Sequence, residues 1–418
     1  MSTDKIKNIL KSIGPGILFA GAAIGGSHLI QSTRAGANYG LDLLGLVLLI
    51  NILKYPFFEF GHRYTAATGE SIIHGYMKLG KLAVVIFLLL NIVTAIVNAA
   101  ALTLITAGLS ANLFGLKYSM TTLGIVILVA TLLILFIGRY SLLDKIVKSL
   151  IVVLTLTTIA TVLIAFGVES QDAVNSQLTQ KELWDAAGIA FLLALMGWMP
   201  APIEASVWPS LWALERTKQT KHKPTMKEAL IDFHIGYIGT TVMAVFFVGL
   251  GAFVMYGSGE TFSNSGLVFS SQLVSLYTKT IGNWSEIIIA TIVFITMLST
   301  MLTVFDAYPR TLAGSLEVLK SNFSKLNKTV FWISGVIMAL FSIIIIEFFT
   351  SGLKTLLDFA TILSFLAAPI FAYINYKVVT SEHMPGKHKP KAWLKILSWI
   401  GIIFLVSFSV LFIYTKLI

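Results

Sequence analysis

The sequence predicts an all-α integral membrane protein: ten core helices in two halves of five, an eleventh helix appended, and helices 1 and 6 interrupted at mid-membrane. Three observations carry this reading. First, 56% of the 418 residues are hydrophobic and only 12% are charged, with a mean hydropathy of +0.85. A crossing needs about 20 mostly apolar residues, and the apolar content supplies roughly eleven. Second, the apolar residues fall into long runs separated by polar clusters, and lipid demands that each run satisfy its own backbone, which a helix does. Third, two of those runs carry helix-weakening residues at their centres. Little chain is left for a soluble domain, and no Walker-type glycine-rich loop is present, so transport by such a chain would draw on ion gradients rather than on a resident ATPase. The absence of cysteine removes disulfides, thiolate metal sites and thiol catalysis.

In chain order the predicted spans are 14–37, 43–66, 82–110, 120–138, 146–167, 186–213, 229–256, 284–307, 330–349, 355–379 and 393–415. The whole chain, 1–418, reads as one domain: helices 1 to 5 over about 14–167, helices 6 to 10 over about 186–379, and helix 11 over 393–415. The first span follows a basic start but lacks a short apolar core ending in a small-residue cleavage site, so it reads as a retained helix. Assigning alternate connections to two faces puts 23 of the 30 Lys and Arg residues on the face that holds the N-terminus and six on the other (Arg34, Lys117, Lys181, Lys279, Lys354 and Lys416), with Lys54 inside span 2. The positive-inside rule then predicts a multi-pass cell-membrane protein with a cytoplasmic N-terminus and an external C-terminus. The same rule accounts for the net charge of +10 without a nucleic-acid partner.

Span 1 contains Gly25-Gly26-Ser27-His28, and two adjacent glycines weaken a helix by roughly 1 kcal/mol each relative to alanine. Close packing through small residues is the alternative use of such a pair. Span 6 contains Gly197-Trp198-Met199-Pro200-Ala201-Pro202-Ile203-Glu204. Its two prolines remove two amide donors two residues apart, which favours a break over a bend. Spans 1 and 6 hold equivalent places in the two halves, and paired interruptions of this kind point to the binding site of a secondary transporter.

The chain resembles the natural resistance-associated macrophage protein (Nramp) family of metal transporters. The resemblance rests on Gly14-Pro15-Gly16, the AGANYG run from Ala35 to Gly40, the ATGE run from Ala67 to Glu70 and the Met199-Pro200 pair. It covers most of the chain, is strongest in the first 75 residues, and implies the LeuT-like fold with substrate held between the unwound centres of helices 1 and 6. The departures are at the site itself. Where the family carries Asp-Pro-Gly-Asn, this chain has Gly25, Gly26, Ser27 and His28, so the metal-binding Asp and Asn are gone. Met199 matches the family's soft metal ligand, but Ala201 stands at the first helix 6 histidine and Ser206 near the second. No acidic residue occurs between Glu70 and Asp144, where the family's helix 3 carries an Asp linked to proton movement.

A divalent transition metal needs oxygen or nitrogen donors and anionic compensation, which one thioether and one imidazole do not supply. Glu204 is the one residue able to add the charge, and it is equally placed to cap the second half of helix 6. The altered helix 1 instead offers amides, a hydroxyl and an imidazole, which suits a small inorganic anion. The expected substrate is therefore bicarbonate, held by Gly25, Gly26, Ser27 and His28 with Trp198, Met199, Ala201 and Glu204 on the helix 6 side. His28 is also a candidate proton site or simply a hydrogen-bonded core histidine. The expected coupling ion is Na+ or H+, with Ser299, Thr300 and Thr303 of helix 8 as ligands if they do not bond their own helix. The second reading is the family's proton-coupled transport of a divalent metal (Mn2+, Fe2+ or Mg2+), and the third a non-transporting membrane sensor. Lys54 and Glu59 are buried ionisable residues, functional by default, each expected to pair with another helix. Arg34 either attracts an anion or snorkels toward headgroups. Asp306 and Arg310 are spaced for an i, i+4 contact at the inner end of helix 8. No catalytic set, resident metal site or cofactor site is expected, and the sequence leaves the oligomeric state open.

Overall fold

The structure is a computed structural model that describes residues 3–167, 183–320 and 327–417, with the backbone alone described at 3–6, 139–148, 150, 151 and 327. Among the charges counted above, Lys181 and Lys325 lie outside the described residues, as do the side chains of Lys5, Arg139, Lys145 and Lys148. The described residues are helical, with turns and no strand. The helices are α1 (Thr3–Ser12), α2 (Pro15–Ala23), α3 (Thr33–Tyr39), α4 (Leu44–Thr68), α5 (Ile72–Leu79), α6 (Lys81–Phe114), α7 (Met120–Gly167) and α8 (Ala186–Trp198). They continue with α9 (Trp208–Thr220), α10 (Met226–Val254), α11 (Gly266–Ile281), α12 (Glu286–Leu319), α13 (Asn327–Phe348), α14 (Leu353–Thr380) and α15 (Ala392–Leu417). Nine helices among the described residues are long and apolar enough to cross a membrane.

Local chemistry sets several boundaries. Asp185 caps α8 by accepting from the Gly188 amide at 2.6 Å, and Thr225 with Glu228 forms a reciprocal capping box at the start of α10. Gly69 and Gly115 end α4 and α6 in the left-handed conformation that L residues resist. Helices α1, α5 and α11 lie outside the predicted spans.

Two expectations change. The predicted connection 139–145 is helical, because nothing in it removes a donor or relaxes the backbone; charge alone does not end a helix. Thr121 donates to Glu347 near the end of α13, Phe136 meets Trp332 near its start, and Phe166 meets Phe253 at the end of α10. The second change concerns helix 1, which stays wound. Its centre, Ile24–Ser32, is a π-helix that joins α2 to α3 without a break. Two glycines relax the backbone but keep their amides, so the widened i to i+5 pattern satisfies a lipid-buried segment that prolines would have severed.

Helix 6 does break. α8 ends at Trp198, residues Met199–Pro202 are extended with a cis Met199–Pro200 bond, a short 3-10 turn covers Ile203–Val207, and α9 follows with Pro209 in its first turn. This segment is the most enclosed of the crossings: 78% of the apolar window in Ala186–Thr220 is buried, against 28% for α13 and for α15. Helix 6 is thus central and α13 and α15 peripheral. Gly197 permits the central approach, since a Cβ there would collide with the Thr361 carbonyl of α14. At one end of helix 1, Asp232 of α10 accepts from the amides of Gly14 (2.9 Å) and Gly16 (2.7 Å), which ties the α2 start to α10.

Candidate functional site

Where helix 1 passes the helix 6 break there is a small cavity of about 30 Å3, lined among others by Ala22, Ser27, Asn98, Trp198, Trp208 and Tyr308. A single water needs about 10–15 Å3 on this measure, so the space suits an ion of a few atoms and excludes an amino acid. Two of its lining residues are tryptophans, Trp198 and Trp208. The indole nitrogens of Trp198 and Trp208 are buried and have no hydrogen-bond partner. A buried donor left unpaired costs about 1–3 kcal/mol, so such a pair marks a place where an acceptor belongs.

Ser27 ties the two interrupted helices together. Its Oγ lies 2.7 Å from the carbonyl oxygens of Ala23 and Pro200 and 2.5 Å from Nδ1 of His28. His28 itself points away from the cavity and donates through Nε2 to the Thr240 carbonyl of α10 at 2.8 Å. The expectation that His28 faces the substrate is therefore corrected: the π-turn rotates it into the α10 interface. Gly25 likewise packs against Thr300 of α12, where a Cβ would strike the hydroxyl, whereas Gly26 lines the cavity against Leu102 and Trp198. Because the helix 1 backbone is hydrogen-bonded as a π-helix, the amides of Gly25 and Gly26 are occupied and do not form the anion site expected of them.

On the helix 6 side, Trp198 and Ala201 line the cavity as expected. Met199 is buried outside that lining, its sulfur accepting from Ser32 Oγ at 3.9 Å. Glu204 lies in the 3-10 turn and is fully buried. Its Oε1 accepts from Tyr308 of α12 (3.5 Å) and Ser364 of α14 (3.4 Å), while Oε2 has no partner. Asn98 of α6 donates to the Tyr308 hydroxyl at 2.8 Å and so extends this chain back to the cavity wall.

Lys54 of α4 meets another helix, as expected of it, but through backbone carbonyls and not through a side chain. Its ammonium, fully buried, donates to the carbonyls of Met196 (2.6 Å), Gly197 (3.0 Å) and Ala201 (3.2 Å) on both sides of the helix 6 break. Glu59 does not pair with another helix; it accepts from Arg63 one turn on, at 2.6 Å. On α12, Thr300 donates to the Gly21 carbonyl of helix 1 at 3.1 Å, and Thr303 donates within its own helix to Ser299 and Thr300 carbonyls. Thr300 thus bridges helices 1 and 8, and the three hydroxyl residues do not surround an open cation site in this conformation. Among the described residues no group of three His, Asp or Glu is placed to hold a metal ion.

Both approaches are closed. On the face away from the N-terminus, Arg34 makes a two-pronged ion pair with Asp358 of α14 (2.6 and 3.1 Å) and also donates to Gln31 (3.0 Å). That places Arg34 inside the protein at 3% exposure rather than at the headgroups. On the N-terminal face, Arg310 pairs with Asp306 (2.5 Å), which accepts from Trp212 Nε1 (2.8 Å). Beyond this cluster opens a vestibule of about 510 Å3 lined by Asp306, Arg310, Glu215 and Lys218. The rings of Trp208, Trp212 and Tyr308, packed edge to face, stand between it and the cavity. Sequence reasoning missed Asn98, Leu102, Trp208 and Tyr308. A signal existed for one of them: Asn91, Thr94 and Asn98 recur at helical spacing on an otherwise apolar span.

A central broken helix, a small buried site beside it and a barrier on either side define the secondary-transporter class with the LeuT-type fold. The match extends to the family. A family model described as natural resistance-associated macrophage protein-like covers residues 16–415, and the chain belongs to that family. The uncharacterized protein PM0681 of Pasteurella multocida (strain Pm70) is 39% identical over 407 residues, 96% of this chain and 92% of that protein. The divalent metal cation transporter MntH of Levilactobacillus brevis is 21% identical over 95% of this chain and 86% of its own length. Among solved structures, a mutant of the Eremococcus coleocola manganese transporter shares the fold at a TM-score of 0.72 and 15% identity, covering 98% of this chain and 87% of that one. MHP1, a nucleobase-cation-symport-1 family transporter, aligns at 0.60 and 13% identity over 97% and 93%. This is a multi-pass membrane protein of a transporter family.

Proposed function

We propose that the chain works as a single transport unit, N-terminus in the cytoplasm, which moves a small inorganic oxyanion, bicarbonate in the first instance, driven by a Na+ or H+ gradient through alternating opening of the two barriers. The observation that carries this reading is the pair of unpartnered indole N–H groups of Trp198 and Trp208 on a cavity that, among the described residues, has no metal-ligand cluster. Donors without counter-carboxylates favour an acceptor-rich, negatively charged guest. The expected helix 1 amides and His28 drop out of the site, and the tryptophans replace them as the anion-facing groups.

One observation favours a second reading. Glu204 keeps an unpaired, buried carboxylate oxygen, and with Tyr308 and Ser364 beside it this is an oxygen environment of the kind a hard divalent cation takes. The name of the Levilactobacillus relative points the same way.

Uptake into proteoliposomes separates the two. Radiolabelled bicarbonate is followed with inward Na+ or H+ gradients against protein-free vesicles, and Mn2+ is followed in parallel. Bicarbonate uptake that falls when Trp198 or Trp208 becomes Phe supports the anion reading. Mn2+ uptake lost in Glu204→Gln, with bicarbonate at the protein-free level, replaces it with metal transport.

A further inference from the structure

The ammonium of Lys54 is seated in an unusual place. It sits on α4, fully buried, and uses a carbonyl from each of Met196, Gly197 and Ala201. An ammonium has three donors and no acceptor, so the three carbonyls use its hydrogen-bonding capacity completely. Met196 and Gly197 are last-turn carbonyls of α8: Met196 takes only a long capping bond from the Met199 amide at 3.4 Å, and both carry the negative end of the helix dipole. Ala201 contributes the carbonyl from the far side of the break. Glu204, three residues beyond, supplies the anion that compensates the ammonium electrostatically. Three converging carbonyl oxygens with a carboxylate close by are the donor types that hold a hard inorganic cation.

We infer that Lys54 is a resident cation: its ammonium fills a carbonyl cradle at the helix 6 break that would otherwise take a free metal ion, and it thereby sets the ion preference of the adjoining cavity. The inference rests on the reading of this cavity as the transport site but not on which ion is carried. With the ammonium in place, the cradle and Glu204 are already neutralised, so a second cation entering beside them meets a positive charge and no free carbonyls. Removal of the ammonium leaves three carbonyl oxygens without their cation, with the Glu204 carboxylate three residues on from Ala201, which creates a cation site in the same scaffold. The tether also holds the two sides of the break together, since Lys54 spans it.

The test uses binding of Mn2+ alone to the purified full-length protein, read from loss of the aqueous Mn2+ signal in electron paramagnetic resonance, with no transport step. Wild type is expected to show no saturable binding. Lys54→Ala is expected to bind one Mn2+ at least about tenfold more tightly than any residual wild-type binding. Adding Glu204→Gln to Lys54→Ala is expected to remove that gain. Saturable Mn2+ binding by wild type that Glu204→Gln abolishes overturns the inference and favours metal transport. A folded Lys54→Ala variant that acquires no Mn2+ binding overturns it without touching the anion reading, which uptake measures separately. If Lys54→Ala is not monodisperse alone, it is purified with n-propylammonium or with n-propanol. Recovery with the cation only supports a resident charge. Recovery with both or with neither overturns it.

Discussion

Trp198 and Trp208 make opposite demands on their two ends, an apolar ring packed in the protein and an N–H with nothing to bond. Replacement by Phe keeps most of the ring and removes the donor. If each N–H meets the carried anion, kcat/KM for uptake should fall by about 10–100-fold, from a charge-assisted hydrogen bond worth about 1.5–3 kcal/mol. If both variants transport as wild type does, the donors are not substrate contacts. His28 leads to the contrary expectation. Its Nε2 bond to the Thr240 carbonyl ties helix 1 to α10, and His28→Ala leaves that carbonyl unpaired beside a void. The variant should lose about 2–4 kcal/mol of stability, seen as a lower Tm, with KM unchanged in the protein that remains folded. A raised KM at unchanged Tm would return His28 to the site.

Helices 1 and 6 show why similar-looking interruptions behave differently. Glycine lowers the cost of a distortion but leaves every amide available, and helix 1 answers by widening into a π-helix. Proline removes the donor, and helix 6 opens at Met199–Pro202 with Lys54 and Ser27 covering the exposed carbonyls. The α2 start is held from outside by Asp232, which takes the amides of Gly14 and Gly16 and lies 3.6 Å from Nε2 of His62. Asp232→Ala should cost about 2–4 kcal/mol, because two buried amides lose a charged acceptor. Thermal unfolding checks this, and a Tm equal to wild type would mean that water satisfies the helix start equally well.

Across the molecule, the cavity lies between two ion-pair clusters, Arg34–Asp358 on one face and Asp306–Arg310 with Trp212 on the other. Each cluster is intact in this closed arrangement, so each removal should favour opening on its own side. The absence of cysteine makes a single introduced thiol a unique reporter. With Ala201→Cys at the cavity wall, Asp358→Ala should speed labelling by a membrane-impermeant reagent applied to the Arg34 face, and Arg310→Ala should do so from the vestibule face. Labelling rates that respond to neither change, or that rise on both faces together, would show that these clusters are structural and not gates.

The protein's class, nine of the eleven predicted spans and the break in helix 6 were legible in the order of residues, because local chemistry controls them. Apolar run length is set by bilayer thickness, backbone satisfaction forces those runs into helices, and the Pro200–Pro202 pair breaks helix 6 whatever surrounds it. The family's opening motifs could be read for the same local reason. Which atoms face the cavity was settled by packing instead. A π-turn of a few residues swings His28 into α10 and leaves Ser27 at the break, a rotation that no residue pattern in helix 1 specifies. The partners of Lys54, Glu204 and Arg34 come from helices 142, 160 and 324 residues away in sequence. Long-range pairing of this kind depends on how helices pack, and helix packing in lipid follows from the summed fit of many small contacts rather than from any one residue.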